Sequence, residues 1–543
     1  MRSLVKDHKL LLLLVLAFLV SELIVNPIGN FPLNDDWSYG KSVMQLLKDG
    51  TLEIGLFPSM TLLSHLAWGL LFTKLFGFSF TVLRVSTLFS SLIGITLLNK
   101  LIIGITGNKQ VAFILCLCLL FNPIYFNLSN TYMTDVNFIT VLIVICYFSF
   151  VFFQTGSILS FMLVILFSLI LVLIRQFGII APLCFVFSCL FLKNKRWLYA
   201  VLSVLGFLLV IVIFKYYEGY LKTHLHEGAS YKYSGDIHIG DNDFWDYFWF
   251  ILRARYTSIL LHVLFYCFPF LVIFLWKLVK DGKIWLRLFI SAGFIGGVIF
   301  LFKGEPFPMG NIFTNMSLGT ETFFETLYSD HKAAHSHTYS LTAEWLADGL
   351  KYIFLSISFV CCVWMFYKFV RTRSVFFANP YLIFLSTLFF AYLFVMLVSK
   401  SYFDRYNLPL ITIALLLFSF AARYYKTDYR LAVIPLLLFF YISVCGTKDY
   451  LRLNKTRWEA YTFLKNALHA DYEKIDGGFE VNCWNEGKPY ANDFYSLNAC
   501  EFLIQYSPEK NFRILREYEF QRYFPFKKDK IYIFRKVHTS HSE

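Results

Sequence analysis

Two adjacent carboxylates near the start of the chain are the residues best placed for chemistry. Asp35 and Asp36 lie in the sequence NDDWSYG, directly after the first apolar segment. A carboxylate at a membrane face can serve as a general base toward a hydroxyl group. In an alternative interpretation, Asn34 caps a helix and the two carboxylates lie in its positive first turn.

A short amphipathic helix is predicted to follow this pair. Trp37, Gly40, Met44 and Leu47 recur at helical spacing, and Gly50 is a suitable residue to end the helix. We expect this helix to lie on the bilayer surface.

A third carboxylate, Asp135, stands where another apolar segment begins, in the sequence NTYMTDVNF. An ionisable group at the hydrocarbon boundary is costly and usually faces a protein interior or a wet cavity, so a functional role is expected. Capping of the following helix by Thr134 or Asp135 is the alternative.

Arginines next to apolar segments, on the same side as these carboxylates, are the third feature. They are Arg84, Arg175, Arg253, Arg255 and Arg405. Each could extend its head group to the lipid surface. Together with the carboxylates they predict an anionic ligand, and phosphate is the natural candidate because guanidinium groups bind its oxygens in pairs.

The composition indicates what must position these residues. The chain has 543 residues, of which 57% are hydrophobic and only 16% are charged, which is typical of a polytopic membrane protein. The formal net charge of +13 is spread over short loops between apolar segments rather than gathered in one patch. This distribution argues against a nucleic-acid partner.

Segments of roughly 17 to 22 apolar residues predict an all-α protein with about thirteen transmembrane helices. They lie near 10–26, 82–103, 110–126, 136–153, 158–174, 177–192, 198–217, 257–279, 284–302, 349–370, 380–399, 406–422 and 430–446. Lys and Arg alternate between the connecting loops as the positive-inside rule requires. This pattern predicts a cytoplasmic N-terminus and places the outer loops 29–81, 218–256 and 303–348 outside.

The last part of the chain differs in kind. Residues 447–543 have mixed charge, a helical pattern around Trp458 to Leu468, and a strand-like run from Lys530 to Phe534. They predict a small α/β extracytoplasmic domain after a transmembrane catalytic domain of residues 1–446. Cys483 and Cys500 could pair in an oxidising compartment or stay as thiols.

No metal site is predicted. The histidines His224, His226, His331, His335 and His337 are loosely spaced in irregular segments. Soluble parts of the chain carry no phosphate-binding glycine motif. The sequence identifies no cofactor with certainty, and a divalent cation is a possible one.

These motifs resemble those of the polytopic GT-C glycosyltransferases that use polyprenyl-phosphate sugars, including protein O-mannosyltransferases and aminoarabinose transferases of lipid A. The motifs that carry the resemblance are NDDWSYG with Asp35-Asp36, YMTDVNF with Asp135, YFDRYNLPL with Arg405-Tyr406, and LIRQFG with Arg175-Gln176. The commonest family pattern has Asp-Glu at the first motif and often Glu at the second. Aspartate at Asp36 and Asp135 keeps the negative charge of the family's glutamate but has a shorter side chain.

The resemblance implies a membrane enzyme that moves a sugar from a polyprenyl phosphate to a hydroxyl of a glycan, lipid or protein, with inversion. Asp35 is the expected base, and Asp36 and Asp135 are expected to position the acceptor or the base. The donor phosphate is expected near Arg405, Arg175, Arg84, Tyr406 and Gln176. The implied location is the bacterial cytoplasmic membrane, with the site on the outer face.

Two other functions fit some of these residues. A ligase or polymerase of lipid-linked glycans also acts on polyprenyl carriers, but basic loop residues would matter more than an acidic pair. A transporter or flippase would also need charges within the membrane, although the chain shows no repeated halves.

Overall fold

The computed structural model describes residues 2–55, 58–224, 259, 262–273, 312, 316, 379–399, 402–424, 429–485, 500–506, 511–524 and 526–537. The predicted spans near 284–302 and 349–370 and nearly all of the loops 218–256 and 303–348 lie outside these residues. Arg253, Arg255, His226, His331, His335 and His337 also lie outside them.

Helices form most of the described chain. They are α1 (Arg2–Val25), α2 (Asp36–Asp49), α3 (Leu63–Phe76), α4 (Phe80–Thr106), α5 (Lys109–Leu120), α6 (Pro123–Ser129), α7 (Thr134–Thr155), α8 (Ile158–Val172), α9 (Ile180–Cys189), α10 (Arg196–His224), α11 (His262–Ile273), α12 (Pro380–Val398), α13 (Leu408–Tyr424), α14 (Val433–Ala467) and α15 (Phe479–Asn485). Short 3-10 turns at Gln176–Ile179 and Asp404–Asn407 precede α9 and α13.

Membrane-spanning helices are present as predicted. Within the described residues, six helices are long and apolar enough to cross a bilayer, and a bent pair would make a seventh. The six are Phe80–Thr106, Thr134–Thr155, Arg196–Thr223, Pro380–Val398, Asp404–Arg423 and Tyr429–Ala467. The polytopic helical fold is therefore confirmed, whereas the number thirteen and the orientation stay predictions.

The predicted span 110–126 is not one straight helix. It divides into α5 and α6, whose axes differ by 70°. Pro123 begins α6 and has no N–H to continue the α5 hydrogen bonds, and the Asn122 side chain caps the new helix by accepting from Ile124 and Tyr125.

Helix α2 ends at the predicted residue. Gly50 ends α2 in the left-handed conformation, with φ +70°. The position of this helix on the bilayer surface stays a prediction. Met44 of the predicted apolar face is 40% exposed, whereas the first two turns are buried in protein. Gly40 permits this close approach, because a Cβ there would lie 2.8 Å from the Phe80 ring.

The C-terminal region has the predicted α/β character. A four-stranded sheet has the order β1-β2-β4-β3, with β1 (Ile475–Asp476), β2 (Phe502–Gln505), β3 (Phe512–Tyr523) and β4 (Phe526–Lys536). Only β1 and β2 run parallel. The strand-like run from Lys530 lies in β4, and Cys483 and Cys500 are not joined to each other by a disulfide.

The predicted domain boundary at 446 falls inside a continuous helix. Helix α14 runs from Val433 through the last apolar residues to Ala467, so it joins the membrane part to the sheet without a linker. The helical pattern at Trp458 belongs to this same helix. A rigid helical connection fixes the sheet relative to the membrane helices, and the division into two domains stays a prediction.

We predict that Gly69→Ala destabilises the protein, because a Cβ there would lie 1.9 Å from the Tyr132 hydroxyl. Overpacking of this kind costs about 1–3 kcal/mol. Gly219→Ala is the matched control, since a Cβ at that helical position meets nothing within 4 Å. Thermal unfolding in detergent should show a lower midpoint for the first variant only; equal midpoints would contradict the packing of Tyr132 on α3.

Candidate active site

The Asp35 side chain contacts an arginine that lies 370 residues further along the chain. It occupies the N-cap position of α2 but forms no capping hydrogen bond with its side chain. Its Oδ2 instead lies 3.4 Å from both Nη1 and Nη2 of Arg405. Asn34 does not cap the helix and has a left-handed backbone, with φ +50°. The capping interpretation therefore fails for Asn34 and for the Asp35 side chain.

Asp135 forms a second pair with an arginine. Its Oδ2 is 2.8 Å from Nη2 of Arg175, and both side chains are nearly buried, with 3% and 11% exposed. Arg175 also donates from Nε to Thr134 Oγ1 at 2.7 Å. Met133 is the N-cap of α7 and neither Thr134 nor Asp135 caps the helix, although Asp135 sits in its positive first turn.

Tyr406 joins the two pairs. Its ring centre is 5.9 Å from Cζ of Arg175 and 5.8 Å from Cζ of Arg405. Asp35, Asp135, Arg175, Arg405 and Tyr406 thus form one charged cluster, the name used below for these five residues. The cluster contains two carboxylates and two guanidinium groups at the end of the membrane helices.

Asp36 belongs to a different environment from its neighbour. It is fully buried, and its Oδ2 accepts a hydrogen bond of 2.9 Å from the Tyr132 N–H. Burial raises the pKa of Asp36 to about 8. Asp35 is more open, with 16% of its side chain exposed, and burial raises its pKa as well. Of the two adjacent acids, only Asp35 reaches the charged cluster.

Arg84 holds the backbone that leads to the acidic pair. Its guanidinium is fully buried and donates to the carbonyl oxygens of Pro27, Gly29 and Phe31. These contacts fix the chain just before Asn34. Its role in binding a donor phosphate stays a prediction, which the contacts to backbone oxygens do not favour.

Gln176 lies beside the charged cluster and also contacts backbone. It is buried, and its Nε2 donates to the Ser59 carbonyl at 2.5 Å. This bond ties the 3-10 turn after Arg175 to the first outer loop.

His65 is a site-supporting residue that sequence reasoning missed. Its Nε2 lies 3.0 Å from the Tyr132 carbonyl and its Nδ1 lies 2.8 Å from the Asn137 side chain. Burial lowers the pKa of His65 to about 3, so the ring is neutral. It therefore joins α3 to both sides of Asp135. A single histidine in an apolar helix gave no signal of this role.

The C-terminal region contacts the residues on both sides of the Asp35-Asp36 pair. Glu480 accepts a hydrogen bond of 3.3 Å from the Asn34 N–H and forms an ion pair of 2.6 Å with Arg457. Lys41 of α2 donates to the Cys483 carbonyl at 2.7 Å. Helix α15 thus rests on the residues that flank Asp35. The sequence offered no marker for this contact, because the partners are more than 400 positions apart.

Metal ligands do not gather in the part of the chain that the structure describes. No group of three or more His, Cys, Asp or Glu side chains there could hold a metal ion. Asp35 and Asp135 each form an ion pair with an arginine.

Residues 65–217 match the sequence family described as "Dolichyl-phosphate-mannose-protein mannosyltransferase". This segment contains Arg84, Asp135, Arg175 and Gln176. The match confirms the predicted resemblance to GT-C glycosyltransferases in this part of the chain and supports a membrane glycosyltransferase. No curated protein sequence is significantly similar to the chain.

Two crystal structures of ArnT from Cupriavidus metallidurans align with most of the chain. The form bound to undecaprenyl phosphate is 11% identical, with a TM-score of 0.42 and coverage of 99% of this chain and 100% of ArnT. The apo form is 12% identical, with a TM-score of 0.43 and coverage of 97% and 98%. Scores of this size do not by themselves establish a common fold.

We predict that Glu480→Ala loosens the first outer loop, because it removes the acceptor for the Asn34 N–H and leaves Arg457 without its ion-pair partner. Limited proteolysis between residues 29 and 55 should become faster. In a double-mutant cycle on unfolding free energy, Glu480→Ala and Arg457→Ala should couple by about 1–3 kcal/mol. Glu517→Ala, which breaks the exposed pair with Lys530, is the control and should leave the cleavage rate unchanged.

A coupling energy near zero, with unchanged cleavage, would contradict support of the loop by the C-terminal region.

Proposed function

We propose that the chain is a membrane glycosyltransferase that moves a sugar from a polyprenyl-phosphate donor to an acceptor hydroxyl. The observation that carries this proposal is the charged cluster, in which four separate segments bring two carboxylates and two arginines together. The family match over residues 65–217 supports the reaction class. An acid–base and phosphate-binding function can be derived from the cluster itself.

The leaving group explains the arginines. When a sugar leaves a polyprenyl phosphate, the phosphate departs as a stable anion, so it needs cations at its oxygens rather than a general acid. Arg175 and Arg405 supply two guanidinium groups, each with its Cζ within 6 Å of the Tyr406 ring centre. In a site shielded from water, such preorganised charges stabilise the departing anion more strongly than they would in solvent.

The two arginines have different freedom to turn toward a ligand. Arg175 is held by a 2.8 Å contact with Asp135 and by Thr134, whereas both Arg405 contacts with Asp35 are 3.4 Å long. We therefore assign Asp135 to positioning Arg175. Arg405 is the residue that exchanges its carboxylate partner for the donor phosphate.

This exchange would produce the base. When the donor phosphate takes over Arg405, Asp35 loses its counter-ion at the moment when an acceptor hydroxyl must be deprotonated. Asp35 is partly exposed, and its raised pKa makes it a stronger base than a solvated aspartate. Asp36 cannot reach an acceptor from its buried position, so we assign it to holding Tyr132 and the start of α7. Attack by one hydroxyl in a single displacement would invert the anomeric centre.

The finer assignments rest on the sequence motifs. The proposed acceptor is a glycan, lipid or protein hydroxyl, and the proposed location is the bacterial cytoplasmic membrane. The catalytic domain would comprise residues 1–446, and residues 447–543 would form an outer domain that presses on the acidic loop through Glu480. The active face would then be extracytoplasmic, on the side where the carboxylates and the C-terminal sheet both lie.

We predict that Asp35→Asn abolishes sugar transfer and that Asp36→Asn does not. Loss of a general base lowers a rate by about 10²–10⁴-fold. An asparagine at position 36 keeps the oxygen that accepts from the Tyr132 N–H and resembles the protonated acid, so the rate should stay within about threefold. The measurement is transfer of labelled sugar from polyprenyl-phosphate donors in membranes that contain each variant.

Thermal unfolding of both variants provides the control for folding. Loss of transfer in Asp36→Asn with full activity in Asp35→Asn would reverse the assignment of the two acids. Full activity in both variants would remove the acidic pair from the reaction.

We predict a pH-dependent stability that comes from Asp36. Its folded pKa of about 8 exceeds the unfolded value of about 3.9, so the folded state binds this proton more tightly. The resulting stabilisation is complete below about pH 4, declines as the pH rises and is gone above about pH 8. Unfolding free energies from pH 5 to 9 should fall less steeply for Asp36→Asn than for the wild type; equal slopes would contradict a neutral Asp36.

A further inference from the structure

A cavity of about 340 Å³ lies between the C-terminal end of α1 and α14, apart from the charged cluster. It is formed by the end of α1, the first polar turns of α14 and the last residue of β3. Its lining residues are Leu23, Ile24, Val25, Asn26, Ile28, Lys448, Leu451, Arg452, Lys455 and Tyr523. None of the five residues of the charged cluster lines it.

Three cations form one wall of this cavity. Lys448, Arg452 and Lys455 are four and three residues apart on α14, so they project from the same helical face. None of them forms an ion pair with a carboxylate among the residues that the structure describes. Like charges at this spacing repel each other, and an anion between them would relieve that repulsion.

The nearest acid on the helix, Asp449, is bound by backbone N–H groups and forms no ion pair within 4 Å with these three cations in the described residues. Both carboxylate oxygens of Asp449 accept hydrogen bonds from the backbone N–H groups of Tyr523 and Phe524, at 2.7 to 3.0 Å. Asp449 is buried against the sheet. Its charge is therefore used to join α14 to the end of β3.

Tyr523 orders two of the cations. Its ring centre is 4.5 Å from Lys448 Nζ and 5.5 Å from Arg452 Cζ, and Arg452 Nη1 donates to its hydroxyl at 3.2 Å. Cation–π contacts hold a positive group in place and leave its remaining N–H donors available. The basic wall is thus partly preorganised.

The opposite wall is apolar and open. Leu23 at the end of α1 is 80% exposed, and Ile28 just after the helix is 67% exposed. Earlier turns of α1 also expose Leu16 and Leu19. Residues 10–26 are the first predicted membrane span, and apolar side chains exposed on such a span would face lipid tails rather than water. The basic wall begins at the same level, where α14 changes from apolar to polar residues.

We propose that this cavity binds the phosphate headgroup of an anionic membrane lipid, with its acyl chains against the exposed face of α1. The basic wall supplies the charge-assisted hydrogen bonds that a phosphate monoester needs, and clustered Lys and Arg next to a membrane helix attract anionic lipids. The apolar wall favours a lipid over free phosphate. This inference does not depend on the proposed glycosyl transfer.

The test measures lipid binding to the detergent-solubilised full chain by native mass spectrometry. The probes are dioleoyl phosphatidic acid and dioleoyl phosphatidylcholine, with millimolar inorganic phosphate as competitor. The cavity variant carries Lys448→Gln, Arg452→Gln and Lys455→Gln. A matched variant carries Lys465→Gln, Lys474→Gln and Arg513→Gln. These three residues are exposed in the C-terminal region, and their replacement changes the net charge by the same amount.

We expect the cavity variant to bind phosphatidic acid at least about tenfold more weakly than the wild type, because each cation contributes to holding an anionic headgroup. The matched variant should bind like the wild type, and phosphatidylcholine should bind weakly to all three proteins. Any phosphatidic acid held by Arg175 and Arg405 is common to all three proteins and does not affect the difference.

Equal binding of phosphatidic acid by the wild type and the cavity variant would overturn the proposal. Ile28→Asn tests the apolar wall, and we expect it to weaken phosphatidic acid binding without altering thermal unfolding. If Ile28→Asn binds phosphatidic acid normally and inorganic phosphate displaces the bound lipid, the cavity is a site for free phosphate, and the lipid assignment is wrong.

Discussion

The pairing of buried charges is the constraint on which the rest of the structure depends. An isolated charge in a low-dielectric interior is strongly destabilising, and it becomes tolerable only when an opposite charge and hydrogen bonds compensate it. Asp35 with Arg405 and Asp135 with Arg175 satisfy this condition across segments that are far apart in sequence. The helices must therefore meet at this cluster.

Around these pairs, the backbone itself is fixed by polar side chains. Arg84 holds three carbonyl oxygens before the acidic pair, His65 holds the Tyr132 carbonyl, and Glu480 holds the Asn34 N–H. None of these three side chains touches the space between Asp35 and Arg405 in a described contact. These three sets of contacts together position the Asp35 carboxylate. Such support matters because a displacement of about 1 Å is enough to impair a catalytic group.

The sequence allowed prediction of residues whose chemistry is unusual for their position. Asp135 and Arg405 were identifiable because ionisable groups at the ends of apolar segments are costly, and the structure places both in one cluster. Arg84 met the same criterion, yet its guanidinium contacts backbone carbonyl oxygens rather than a carboxylate. The rule identifies a costly charge but does not tell which group compensates it. Glu480 could not be predicted, since a surface-like acid in a polar tail gives no sign of a contact more than 400 residues away.

The most direct test of the account measures the affinity of undecaprenyl phosphate for the wild type, Asp35→Asn and Asp36→Asn. In the proposed mechanism, the donor phosphate replaces the Asp35 carboxylate as the partner of Arg405. Removing that competing charge should tighten binding by about tenfold in Asp35→Asn, which corresponds to about 1.4 kcal/mol, while Asp36→Asn should bind like the wild type. Unchanged or weaker binding by Asp35→Asn would contradict the exchange and with it the assignment of Asp35 as the base.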